Sequence, residues 1–154
     1  MALIFPQSGP KIGQEFMANA FQYPDPGDDW APGANGATLG ASLTAKVVYL
    51  PLNFLKIGDE IVSYKLVGDV QESTGVTVDC KLVRNNLADP LTTTDVTGGG
   101  ITQVTADGNF DALATLSAVE TVATDKQYYL QITGTTDTSD GIDVIGAEVK
   151  VNRK

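Results

Sequence analysis

The chain has 154 residues, 42% of them hydrophobic and 19% charged, with a formal net charge of −9 and no histidine. That length suits one domain, which buries roughly 70% of the surface its unfolded chain exposes, and the composition argues against wholesale disorder. The acidic balance leaves no broad basic face to neutralise phosphates, so nucleic acid is not expected as a main ligand.

Missing histidine removes Ser-His-Asp and Cys-His catalysis, the usual zinc sites and the commonest general base. Cys80 is the only cysteine, so neither an intrachain disulfide nor a thiolate metal cluster can form. The opening MALIFPQSGPK has no charged n-region and no long apolar stretch, and nothing approaches the roughly 20 apolar residues that span a bilayer. Synthesis and assembly in a cytoplasm, with no membrane partner, are expected.

The first 44 residues differ in kind from the rest. They hold five of the seven prolines, Pro6, Pro10, Pro24, Pro26 and Pro32, and few β-branched residues, which reads as an N-terminal arm ahead of a domain at 45–154. The arm also carries Phe5, Phe16, Phe21, Tyr23 and Trp30, five of the eleven aromatics, which a flexible linker would not. Ile12, Phe16, Met17 and Ala20 are spaced as one stripe of a short helix. From Asp25 to Gly40, turn formers alternate so densely that no regular element longer than a turn is expected.

From Ala45 the apolar period becomes two. Val47 to Leu52 reads as a strand broken at Pro51, and the turn at Lys56 to Glu60 leads into a strand from Ile61 to Val70. There Ile61, Ser63 and Lys65 are placed on one face, and Val62, Tyr64 and Leu66 on the other. After Gly75, Val76, Val78, Cys80 and Leu82 alternate with Thr77, Asp79, Lys81 and Val83, so Cys80 reads as a buried, inert thiol.

Asn85 to Gly100 reads as loop, followed by strands at Ile101 to Ala106 and Phe110 to Ala118 around the turn Asp107-Gly108-Asn109. Lys126 to Thr133 alternates strongly, with Tyr128, Leu130 and Ile132 against Tyr129, Gln131 and Thr133. A short strand at Ile142 to Ile145 and a last one from Gly146 to Val151 complete seven or eight strands. Lys150, Arg153 and Lys154 read as a solvated tail. The sum is an all-β, antiparallel β-sandwich.

Catalytic and ligand-binding motifs are mostly absent from the sequence. No phosphate-cradling loop occurs, and Gly98-Gly99-Gly100 runs into a strand and not a helix. Asp59/Glu60, Asp25/Asp28/Asp29 and Asp137/Asp140/Asp143 are the carboxylate clusters a histidine-free glycosidase could use, but each lies in turn-forming sequence. The run from Asp137 to Asp143 has the oxygen donors of a calcium loop without its spacing, and a hairpin turn is the simpler reading. No enzyme, cofactor or metal is therefore expected.

Two binding features remain. Neighbours in a strand point oppositely, so Tyr64, Tyr128 and Tyr129 supply candidates for a sheet-borne carbohydrate site. The arm aromatics Phe16, Phe21, Tyr23 and Trp30 must either fold back on the sandwich or dock on a neighbour.

The phrases LNFLKIGDEIVSYKLVGDV at 52–70, VTVDCKLVRN at 76–85 and ETVATDKQYYLQITGTT at 120–136, with the aromatic arm, resemble small virion structural proteins of tailed bacteriophages that decorate or cement a capsid. The likeness covers roughly residues 45 to 151. It implies a jelly-roll-like sandwich on the outside of the virion, favoured as a homotrimer, bound to the major capsid protein. Phe16, Phe21, Tyr23 and Trp30 would then be partner-binding residues. The alternative is a carbohydrate-binding or host-attachment module.

Overall fold

The computed structural model describes residues 11–19, 30–33, 36–71, 75–88, 90, 92–96, 100–139 and 141–153. Their regular structure consists of eleven strands, with no helix among the described residues: β1 Lys11–Asn19, β2 Trp30–Gly33, β3 Gly36–Leu39, β4 Lys46–Pro51, β5 Glu60–Val70, β6 Thr77–Asn86, β7 Thr92–Asp95, β8 Ile101–Val104, β9 Gly108–Thr121, β10 Lys126–Thr135 and β11 Ile142–Arg153. They form two antiparallel sheets. The six-stranded sheet runs β2-β3-β11-β5-β9, with β1 also on β11, and the five-stranded sheet runs β4-β10-β6-β7, with β8 also on β6.

Because side chains in a strand alternate, each sheet turns one apolar row toward the other. Ile61, Tyr64, Leu66, Val149 and Val151 from the six-stranded sheet meet Val48, Leu50, Leu82, Leu130 and Ile132 from the five-stranded sheet, all at most 1% exposed. Burying each such aliphatic side chain stabilises the fold by about 1.5–3 kcal/mol. The hydroxyl of Tyr64 donates across the sandwich to the carbonyl of Cys80 at 2.9 Å, satisfying the one polar atom the ring brings inside.

Two bulges correct the expected alternation. Opposite β11, Ser63 pairs with Lys150 but Ile61 pairs with Val151, so Val62 is an extra residue that inverts the pleat. Ile61 is therefore buried with Tyr64 and Leu66, and does not share the outer face with Ser63 and Lys65. In β11 the register shifts again between Val144 and Gly146, leaving Ile145 43% exposed. The two short C-terminal strands expected from sequence are thus one strand with a pleat inversion. Both inversions keep an apolar row inward: Ile142 and Val144 before the shift, Ala147, Val149 and Val151 after it.

Four further expectations are corrected. Residues 11–19 are not helical: β1 pairs with β11 from Lys11↔Arg153 to Asn19↔Gly146, and tertiary pairing outweighs a short helical stripe. Within Asp25 to Gly40, β2 and β3 form an antiparallel pair, Trp30↔Leu39 to Gly33↔Gly36, and Pro32 is accommodated because β2 is an edge strand. Within Asn85 to Gly100, the exposed threonine-rich β7 pairs with β6. No hairpin joins β10 to β11, since the two strands lie in different sheets.

Three of the described strands thus fall within residues 1–44, and all are ladder members of the six-stranded sheet. Trp30, 4% exposed, belongs to the core and lies over Gly134, where an added Cβ would stand 2.9 Å from its Cζ2.

Candidate functional site

The outer faces of the two sheets differ in chemistry. On the six-stranded sheet, cross-strand pairs carry charges of alternating sign, Glu15 beside Lys150 and Glu148 beside Lys65, the latter 3.4 Å apart. Such a ladder is a solvated face of modest energetic value. The outer face of the five-stranded sheet adds aromatics, amides and hydroxyls at one end, with the charged Asp79, Lys81 and Asp95 at the other.

Its layout follows from the register. One rung crosses the strands as Pro51, Tyr129, Val83 and Asp95; the next as Tyr49, Gln131 and Lys81; and on the other side of the first, Gln127, Asn85 and Thr93. Tyr49 and Tyr129 are diagonal neighbours whose rings meet edge to face, centroids 5.2 Å apart at 85°. Edge-to-face pairs contribute about 0.5–1.5 kcal/mol beyond burial, and a perpendicular pair makes a corner with a floor and a wall.

The hydroxyl of Tyr129 donates to Oδ1 of Asn85 on β6 at 3.0 Å, so this side chain leans over β6. Val83, its direct partner, is 1% exposed although it stands outside the core between the sheets. Thr93 donates to the same Asn85 oxygen at 2.8 Å. With Oδ1 accepting both bonds, the Asn85 amide is fixed in orientation and its nitrogen is left to donate outward. Tyr49, Pro51, Asn53, Asn85, Gln127 and Tyr129 line a groove of about 610 Å³. A smaller cleft of about 340 Å³, lined in part by Asp79, Lys81, Asp95, Gln131 and Thr133, opens on the same face.

Of the tyrosines expected at a sheet-borne site, Tyr129 is there; Tyr64 and Tyr128 are in the core. Tyr128 closes one end of the sandwich, its hydroxyl donating to Glu120 Oε1 at 2.9 Å, while Arg84 donates to the same oxygen at 2.7 Å. Burial, aided by the Glu120 carboxylate, pushes the Tyr128 phenol up to about 12, and the same carboxylate raises Arg84. Tyr49 was missed from sequence because Pro51 marked its segment as an edge or bend and its neighbour Tyr129 lies 80 positions away. The adjacent pair Tyr128-Tyr129 in an alternating strand was the available signal.

Of the arm aromatics, Phe21 and Tyr23 lie outside the described residues. Phe16 pairs through its backbone with Val149, and Trp30 folds back into the sandwich's own core.

Among the described residues, the acids of the carboxylate clusters are held in separate local contacts. Asp59, 2% exposed, is held by Arg153, which is therefore no solvated tail; the guanidinium's hydrogen bonds lower the Asp59 carboxyl below its ordinary value. Asp137 accepts from the backbone N–H of Ser139 in a local turn, and Asp143 accepts from the hydroxyl of Thr38 at 2.5 Å. Asp25, Asp28, Asp29 and Asp140 lie outside the described residues. Burial pushes the Cys80 thiol far up, as suits an inert core residue.

No family model matches the chain, and no curated protein does. Solved structures do. The CBM36-1 domain of a multidomain xylanase from the hindgut metagenome of Trinervitermes trinervoides is 12% identical, with 88% of this chain and 96% of that one covered at a TM-score of 0.54. A CBM36 carbohydrate-binding module in complex with calcium and xylotriose is 14% identical over 89% of this chain and 98% of its own, TM-score 0.45. A structure of infectious bursal disease virus, Gt strain, is 12% identical over 90% of this chain and 32% of its own, TM-score 0.43. At such identities the first likeness establishes one thing, that this chain has a β-sandwich fold also used by a carbohydrate-binding module.

Proposed function

We propose that the protein is a non-catalytic carbohydrate-binding module whose ligand lies in the groove at Tyr49 and Tyr129. The observation that carries the reading is the perpendicular tyrosine pair rimmed by the amides of Asn53, Asn85 and Gln127. A pyranose has an apolar C–H face and an equatorial belt of hydroxyls. An aromatic corner matches the first, and neutral donors and acceptors match the second without the desolvation cost of a buried charge. The shared fold of the CBM36-1 domain supports the reading.

The test is affinity electrophoresis through gels containing soluble neutral polysaccharides, with the wild type beside Tyr129→Ala and Tyr49→Ala. Truncating an aromatic anchor of a binding site costs about 2 kcal/mol or more, roughly a 30-fold loss of affinity. Retardation of the wild type that both variants lose supports the site. Equal mobility of all three in every gel overturns it, provided circular dichroism shows the variants folded. A capsid-decorating role, with the major capsid protein as partner and a trimer on the virion exterior, keeps the sequence resemblance as its support.

A further inference from the structure

The tyrosine groove does not end at the tyrosines. Gln131 is the cross-strand neighbour of Tyr49 on one side and of Lys81 on the other, so it links the groove to the cleft formed with Asp79, Lys81, Asp95 and Thr133. The rung through Tyr129 likewise continues over Val83 to Asp95. From β4 to β7 this path crosses three inter-strand spacings, roughly 14 Å at about 4.8 Å each. A pyranose ring is about as long as one such spacing, so the path outlasts a disaccharide.

The character of the path changes along its length. The β4 end is aromatic and, among the described residues that line it, carries no charged side chain. The β6–β7 end has one lysine against two aspartates, with Lys81 and Asp95 3.8 Å apart. That end has a local excess of negative charge on a chain whose net charge is already −9, which repels an anionic ligand. Paired opposite charges and a glutamine still offer both donors and acceptors to hydroxyls.

From this, and resting on the carbohydrate reading above, we infer that the ligand is the interior of a neutral linear polysaccharide, lying across strands β4, β10, β6 and β7 with three or more sugars in contact. Stacking at Tyr49 and Tyr129 anchors the chain. Gln131, Lys81 and Asp95 read the hydroxyls of the sugars beyond. No chain end is required, because the track is an open face and not a closed pocket.

Isothermal titration with xylo- and cello-oligosaccharides of two to six units, together with polygalacturonate, tests this. The expected result is at least a tenfold rise in affinity from the disaccharide to the hexasaccharide in one of the two series, with no binding of polygalacturonate. In Gln131→Ala and Lys81→Ala that gain should shrink to about threefold or less, while Lys150→Ala, on the opposite sheet, titrates as the wild type. Binding that is already complete with a disaccharide, far-end variants that keep the full gain, or polygalacturonate bound as tightly as the neutral chains would overturn the extended track while leaving the tyrosine site standing. Absence of binding to every polysaccharide gel and oligosaccharide would overturn both.

Discussion

Arg153 reaches back from the end of β11 to Asp59 in the turn that launches β5. Its Nη2 donates to Oδ2 at 2.8 Å and its Nε to both carboxylate oxygens at 3.1 and 3.3 Å, while the backbone N–H of Lys56 donates to Oδ2 at 2.9 Å. The carboxylate is 2% exposed and the guanidinium side chain 21%. This clip fixes the turn against the last strand, so the penultimate residues of the chain are part of the fold.

Asp59→Asn keeps the shape and removes the charge. Breaking a buried pair costs about 3–5 kcal/mol, and the partial exposure of Arg153 puts this case toward the lower bound. The pH dependence has a definite sign. The folded carboxyl titrates below its ordinary 3.8, so its contribution is fully present above that value and is lost as pH falls through the lower folded value. Melting curves of wild type and variant should be well separated at pH 7 and draw together progressively as pH falls below 3.8. A separation that stays constant down to pH 2 would contradict the assignment.

Gly134 marks where the indole of Trp30 passes β10. A Cβ there would stand 2.7 Å from Leu39 Cδ2 and 2.9 Å from Trp30 Cζ2. Gly134→Ala should therefore cost about 1–3 kcal/mol through forced repacking. Trp30 is the only tryptophan, so its emission reports the site alone. A red shift accompanying the loss in denaturation midpoint is expected; an unchanged spectrum with wild-type stability would show that the indole has room.

Tyr64→Phe removes the hydroxyl that bridges the sheets. The bond to the Cys80 carbonyl is buried, and deleting one such neutral hydrogen bond costs about 0.5–1.5 kcal/mol. Chemical denaturation should show a lower midpoint with an unchanged slope, since the surface exposed on unfolding stays the same.

How much of this could be read from sequence depends on the scale of the feature. The alternations at Val76 to Leu82 and Tyr128 to Ile132 predicted their strands and inward faces, because each strand is regular and has strands on both sides. The bulges at Val62 and Ile145 were invisible: an extra residue looks like ordinary alternation until the partner strand sets the register. Strands β1, β2, β3 and β7 were missed for a related reason. They are short or peripheral, and they owe their conformation to pairing with β11 (β1 and β3), β3 (β2) or β6 (β7) more than to their own residues. The groove draws on β4, β6 and β10, which only the sheet order makes neighbours.

Tyr129→Phe separates the two roles of that side chain. The ring and its edge-to-face contact with Tyr49 remain; the bond to Asn85 is lost. Asn85 still accepts from Thr93, so its amide stays oriented through one bond where there were two. Under the carbohydrate reading, stacking supplies the larger share of affinity, and the phenylalanine variant should retain most of it, losing roughly two- to fivefold as befits one part-buried neutral hydrogen bond of about 0.5–1 kcal/mol. The alanine variant loses roughly 30-fold. If phenylalanine proves as damaging as alanine in the same gels, the hydroxyl and not the ring face holds the ligand, and the corner of two tyrosines would be a packing feature of the sheet.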